Sequence, residues 1–178
     1  LKQKFDADFQ WIAYPLHPET PPQGRTLENL FAGVPVDLKA MRKRLVAEAE
    51  ALGLPFGDRT RTYNSRLAQE LGKWAESEGR GNQFHAAAFQ TYFAENANLA
   101  EIEVLVDLAV SVGLSADKAR AVIRERIFRT DVDNDWQMAY EKHVRAVPTL
   151  VIGENSLVGA QPYEAMEAFL LENGIAVR

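Results

Sequence analysis

Cysteine is absent from all 178 residues. That excludes a disulfide framework, a thiolate metal site and any thiol chemistry carried out by these residues themselves. Histidine is nearly as scarce. His17, His85 and His143 stand far apart with no paired ligand spacing, so no metal is expected. No apolar run approaches the roughly 18–20 residues needed to cross a bilayer. Leu1-Lys2-Gln3-Lys4 runs into Phe5 without the apolar core of a signal peptide, although a chain that starts with Leu does not show where its reading frame begins. A net charge of −5 and a pI near 5.3 argue against nucleic acid as a partner. The expectation is a cytoplasmic protein with neither a membrane nor a nucleic-acid partner.

What is present is ordinary for a soluble globular protein: 47% hydrophobic and 25% charged residues, in a length that fits one domain or one domain with a large insertion. The informative stretch lies near the C-terminus. Val147-Pro148-Thr149 leads into Leu150-Val151-Ile152, a tight turn is expected at Glu154-Asn155, and Leu157-Val158 follows, broken by Gly159-Ala160. Pro162 then opens a helix from Tyr163 to Glu172 that closes on Asn173-Gly174. Proline, strand, turn, strand, helix is the order in which a thioredoxin fold ends. A proline at the mouth of that first strand is commonly cis, because X–Pro bonds alone tolerate cis cheaply.

Upstream, Phe9 to Tyr14 reads as a strand apolar on both faces, the kind that lies inside a covered sheet. The proline-stiffened run from Pro15 to Pro22 cannot be helical. Thr26 caps a short turn through Phe31, broken by Gly33-Val34-Pro35. From there to Lys142 the periodicity is helical. Asp37 caps a helix stopped by Gly53, and Asn64 caps one stopped by Gly79. A third helix carries Phe84, Ala88 and Tyr92. Asn98 with Glu101 suggests a capping box, Ser115 opens the next helix, and Asp133 opens the last, with Trp136 and Tyr140.

In a thioredoxin-like sheet, Phe9–Tyr14 would be the second strand and would need a first strand at the centre, between it and the C-terminal hairpin (149–153 and 156–159). Leu1 and Phe5, spaced i,i+4, read as the tail of a helix. The expectation is therefore an α/β thioredoxin-like fold with a large all-helical insertion, its first strand and the start of its first helix lying upstream of Leu1. Its parts are residues 1–32, an insertion over 33–142, and residues 143–178 with the cis-proline loop, hairpin and final helix.

The Pro15–Gly24 loop with His17-Pro18-Glu19, the Asn64–Gly79 helix, Thr91-Tyr92-Phe93, the Asn98–Gly113 helix, Val144-Arg145-Ala146-Val147-Pro148-Thr149 and Gly159-Ala160-Gln161-Pro162 together carry a family resemblance. The chain resembles the DsbA-like thioredoxin proteins of the FrnE-type branch, a group that includes 2-hydroxychromene-2-carboxylate isomerase-like and dithiol-disulfide isomerase proteins. It departs from their pattern at His143 and Ala146, where glycines are usual, and at Gln69, where a histidine is usual. The family's C-x-x-C segment is not in this sequence. The resemblance implies thiol–disulfide oxidoreductase or isomerase chemistry on a protein or small-molecule disulfide. Pro148 would be the catalytic-loop proline and Val147, Thr149 and Gln161 the substrate contacts. No cofactor is required, and a homodimer is allowed.

Two other functions stay open. One is glutathione-dependent isomerase or transferase chemistry of the kappa-class and hydroxychromene carboxylate isomerase type, with glutathione against the same loop. Gln161-Pro162, where those proteins usually carry Asp-Arg, tilts against it. The other is a non-catalytic binding module. At single residues, Gln161 either contacts substrate or caps the final helix, and Trp11 and Trp136 read as core. Arg42-Lys43-Arg44 reads as a solvated face. Arg59, Arg61 and Arg66 form either an anion site or a surface cluster, and His17 has the best claim of the three histidines to a site.

Overall fold

Side chains cap the start of three helices, at Thr26, Asp37 and Ser115, and positive-φ glycines follow the ends of four, at Gly53, Gly79, Gly113 and Gly174. The computed structural model describes residues 1–178, whose contacts fall into two units: Leu1–Leu16 with Asp133–Arg178, and His17–Val132.

The unit His17–Val132 opens with β1 (Arg25–Thr26) and α1 (Leu27–Leu30), where the Thr26 hydroxyl accepts the Asn29 N–H. Next comes α2 (Leu38–Ala51), whose first turn is capped by the Asp37 carboxylate accepting from Lys39 and Ala40. After β2 (Arg61–Thr62), four helices build the core: α3 (Arg66–Ser77), α4 (Gly81–Phe93), α5 (Ile102–Ser111) and α6 (Ala116–Glu125). Their apolar faces meet through Leu71, Trp74, Phe84, Leu105, Val106 and Val122. Burial of each such side chain contributes on the order of 1.5–3 kcal/mol.

The most consequential polar group in this unit is Glu70, on the inner face of α3 and 1% exposed. Its Oε1 accepts from Arg66 Nε and Arg126 Nη2, and its Oε2 from Arg126 Nε, all at 2.6 Å. Arg126 ends α6 in the left-handed region at φ 54°, and Arg66 also donates to the Arg129 carbonyl at 2.8 Å. One buried carboxylate thus ties α3 to the turn after α6. Burial alone would raise the Glu70 pKa, but hydrogen bonds from Arg126 and Arg66 outweigh it and hold the carboxyl below its usual range.

In the unit Leu1–Leu16 with Asp133–Arg178, the chain leaves α7 (Arg129–Glu141), forms β3 (Thr149–Ile152) and β4 (Asn155–Val158), and ends in α8 (Tyr163–Glu172). Phe5 is fully buried, its N–H bonded to the Leu1 carbonyl, and it bridges Val177 of the C-terminal tail. Lys4 pairs with Glu167 of α8. β3 and β4 pair antiparallel from Thr149↔Val158 to Ile152↔Asn155.

Several expectations require correction. Phe9–Tyr14 makes no strand ladder. Strand pairing needs a neighbour, and here the Ala13 N–H donates to Asp135 Oδ2 at 2.8 Å instead. Trp11 is 42% exposed rather than core. The stretch 33–142 is not all helical, since β2 pairs antiparallel with β1. Gly24 permits that pairing, because a Cβ there would lie 2.4 Å from the Thr62 carbonyl oxygen. The hairpin turn is Gly153-Glu154, one residue earlier than expected. Gly153 takes φ 58°, and a glycine at the first central position suits a type II′ turn. Asn98 makes no capping box. Its Oδ1 accepts the Ala100 N–H, and α5 starts after Glu101 without a side-chain cap. Ser65 rather than Asn64 holds the N-cap position of α3, although Asn64 Oδ1 accepts the Arg66 N–H. Helix α7 begins at Arg129, and its buried positions are Val132, Asp135 and Ala139, one step away from the Trp136–Tyr140 face. No helix is long and apolar enough to cross a membrane.

Helix α7 closes with the Val144 N–H on the Ala139 carbonyl and the His143 N–H on the Tyr140 carbonyl, a Schellman arrangement that places His143 at φ 53°. A Cβ in that region costs roughly 1 kcal/mol. His143→Gly is therefore expected to stabilise the protein by about that amount in chemical denaturation, with no gain from His143→Ala.

Glu70→Gln is expected to destabilise by about 3–5 kcal/mol at neutral pH, because two guanidiniums lose their buried counter-charge. Since the folded-state pKa of Glu70 is depressed, its stabilisation is present above the unfolded carboxylate pKa and lost as pH falls through the folded one. The gap between wild type and variant should narrow below about pH 4. Equal destabilisation at both pH values would show that the charge is not the source.

Candidate active site

The segment between α7 and β3 is ordered by local bonds. The Tyr14 hydroxyl donates to the Val144 carbonyl at 3.4 Å, and Thr149 Oγ1 donates to the Ala146 carbonyl at 2.7 Å. Between those anchors the Val147–Pro148 peptide bond is cis. The Pro148 carbonyl accepts the Gly159 N–H at 2.8 Å, extending the hairpin one step beyond Thr149↔Val158. Gly159 takes φ 88°, which turns the chain back so that Gln161 Nε2 reaches the Val158 carbonyl at 2.8 Å.

Pro148, Thr149 and Gln161 thus stand at one end of one hairpin, with Val147 beside them. Val147 is 44% exposed, and β3 pairs with β4 alone in its sheet. Gln161 does not cap α8, whose N-cap position is Pro162 with no side-chain bond. Its amide instead braces the end of β4. The sequence did not single out Ala146 and Gly159 as the backbone partners that hold this loop. A threonine directly after the proline was the available signal for the first, and a glycine ending the second strand for the second.

These residues contain no nucleophile for covalent chemistry. Cysteine is absent, and the Thr149 hydroxyl is engaged. At the other end of the hairpin, Glu154 is held below the usual carboxylate range by its hydrogen bond from Lys142, which also donates to the Gly153 carbonyl. That contact stabilises the turn. No group of three or more His, Cys, Asp or Glu side chains is placed to hold a metal ion.

The three arginines read as a cluster separate into different roles. Arg66 is committed to Glu70 and the Arg129 carbonyl. Arg59 and Arg61 stay together at a surface depression with Tyr63 and Asn96. His17 closes a turn through its carbonyl, which accepts the Thr20 N–H.

The YwbO protein of Bacillus subtilis (strain 168) is 26% identical over 165 residues, covering 91% of this chain and 80% of its own length. The crystal structure of a probable DsbA oxidoreductase, SCO1869 of Streptomyces coelicolor, superposes with a TM-score of 0.81 at 27% identity, over 89% of this chain and 71% of that one. A 2-hydroxychromene-2-carboxylate isomerase shares the fold with a TM-score of 0.63 at 18% identity, over 82% of this chain and 72% of its own. The fold is thus thioredoxin-like, mostly helical with small sheets. With the DSBA-like thioredoxin domain model matching residues 1–171, nearly the whole length, the chain belongs to the DSBA-like thioredoxin domain family.

Proposed function

We propose that this chain supplies the substrate-holding part of a thiol–disulfide oxidoreductase or isomerase. The observation that carries the proposal is the family match over residues 1–171, which includes the loop that exposes Val147 and Pro148. In thiol–disulfide exchange, a thiolate attacks one sulfur of a substrate disulfide and the other sulfur leaves as a thiolate. A second thiol then attacks the mixed disulfide, so the enzyme dithiol ends oxidised and the substrate reduced, or the reverse. These residues hold no thiol, so the reacting pair comes from outside them. The role of this chain is positioning: the Val147 main chain pairs with the strand carrying the substrate disulfide, and Pro148, with no N–H and a rigid ring, leaves the adjacent space open to sulfur. Thr149 holds the loop through Ala146, and Gln161 braces the facing strand end.

The test uses the protein encoded by the full reading frame, assayed for reduction of a protein disulfide and of oxidised glutathione. Turnover is expected, and Pro148→Ala, which restores an N–H and frees the backbone, should lower it by about tenfold to a hundredfold. Absence of exchange activity in the full-length protein would overturn the proposal, and an unchanged rate in the variant would remove Pro148 from it. Turnover of a glutathione-dependent isomerisation without disulfide exchange would instead assign the isomerase chemistry.

A further inference from the structure

Two guanidiniums in the unit His17–Val132 are fixed in place without a counter-charge. Arg59 lies over the rings of Tyr92 and Phe93, at 4.8 and 5.4 Å from their centroids. Its Nη1 donates to the Tyr92 hydroxyl at 2.5 Å and to the Arg61 carbonyl at 3.4 Å. Arg61 Nη2 donates to the Gln23 and Gly24 carbonyls at 3.1 and 3.2 Å. Both side chains are half-buried, and neither pairs with a carboxylate. By contrast, Arg25, Arg42, Arg66, Arg120 and Arg126 each have one.

The two arginines line a depression of about 50 Å³ together with Asp58, Thr60, Tyr63 and Asn96. Gly57 brings its walls together. Its N–H bonds the Phe93 carbonyl at 2.8 Å, and a Cβ there would lie 2.3 Å from the Ala94 carbonyl oxygen and 2.9 Å from Asn96 Nδ2. Asn96, at φ 59°, is exposed on the rim. The acid in the lining, Asp58, is paired with Arg42 at 2.9 Å, which offsets its charge toward the depression.

A half-buried cation has lost part of its hydration and gains most from an anion that restores it. Guanidinium forks whose orientation is already set, by ring stacking for Arg59 and by paired carbonyls for Arg61, bind an oxyanion without the usual loss of side-chain freedom. We propose that this depression is an oxyanion subsite, taking the carboxylate or phosphate group of a small molecule between Arg59 and Arg61, with Asn96 and Tyr63 as further donors. The site stands independently of the thiol-exchange proposal, since none of its residues belongs to the hairpin loop.

The experiment is a titration of the whole protein, followed through the arginine side-chain N–H signals by NMR, with inorganic phosphate in one arm and acetate in the other, at constant ionic strength set with sodium chloride. Saturable shifts confined to Arg59 and Arg61 are expected, and the arm that saturates first distinguishes a phosphate from a carboxylate ligand. Arg61→Gln should abolish them. Because that change also removes the ties to Gln23 and Gly24, Asn96→Asp is the second variant. It keeps the size of the exposed side chain and a residue type that tolerates positive φ, yet places a negative charge on the rim and should weaken binding by at least about tenfold. Absence of saturable shifts in both arms, or binding that is unchanged in Asn96→Asp, would overturn the proposal.

Discussion

The buried carboxylate of Glu70 is the constraint on which the helical unit depends. A charge at 1% exposure is tolerated only when its lone pairs are filled and its charge is balanced. Arg66 does this from one turn earlier on the same helix and Arg126 from the end of α6. The requirement propagates. Arg126 must adopt the left-handed conformation that ends α6, and Arg66 carries the network on to the Arg129 carbonyl. Helix α3 is also the element whose apolar face meets α4, α5 and α6, through Leu71, Trp74 and their neighbours. Its polar anchor and its hydrophobic contacts therefore enforce one rotation of the same helix. Hydrophobic packing alone tolerates some slippage, whereas three short hydrogen bonds to one carboxylate do not.

The unit that carries the hairpin is organised differently. Its order comes from many short-range main-chain commitments rather than one buried charge: the helix closure at His143 and Val144, the Thr149 hydroxyl on Ala146, the Pro148 carbonyl on Gly159, and the Gln161 amide on Val158. Each is worth about 1 kcal/mol net, and together they hold an exposed loop in one shape without burying it. The loop stays open to solvent while these bonds hold its shape.

Arginine is put to three uses in this chain. Arg66 and Arg126 balance a buried charge, Arg120 pairs with Glu103 at the surface, and Arg59 and Arg61 are immobilised by rings and carbonyls with no carboxylate paired to either. A surface pair is worth little to stability. Arg59 gains instead from the ring faces beneath it, and neither Arg59 nor Arg61 has its charge matched by a carboxylate.

What could be read from sequence divides along the range of the interactions involved. Asp37, Ser115 and Thr26 cap their helices with side chains that reach no further than the next turn, and Gly53, Gly79 and Gly174 end theirs with a positive φ that a single residue type makes cheap. The order of Pro148, β3, turn, β4 and α8 was legible for the same reason, as was the clustering of Pro148, Thr149 and Gln161 at one hairpin end. Distant partners decided the rest. Phe9–Tyr14 has strand composition but makes no ladder, because pairing is a property of two segments. Arg25–Thr26 and Arg61–Thr62 have no strand pattern of their own and pair because Gly24 lets them approach. Glu70 stands one turn after Arg66 on the same helix, so that pair was within reach of the sequence. Only the fold buries the carboxylate, brings Arg126 to it and leaves Arg59 and Arg61 without one. The sequence by itself determined where helices begin and end and where the hairpin stands. The tertiary structure decided which charges are balanced, because that depends on groups that meet only once the chain has folded.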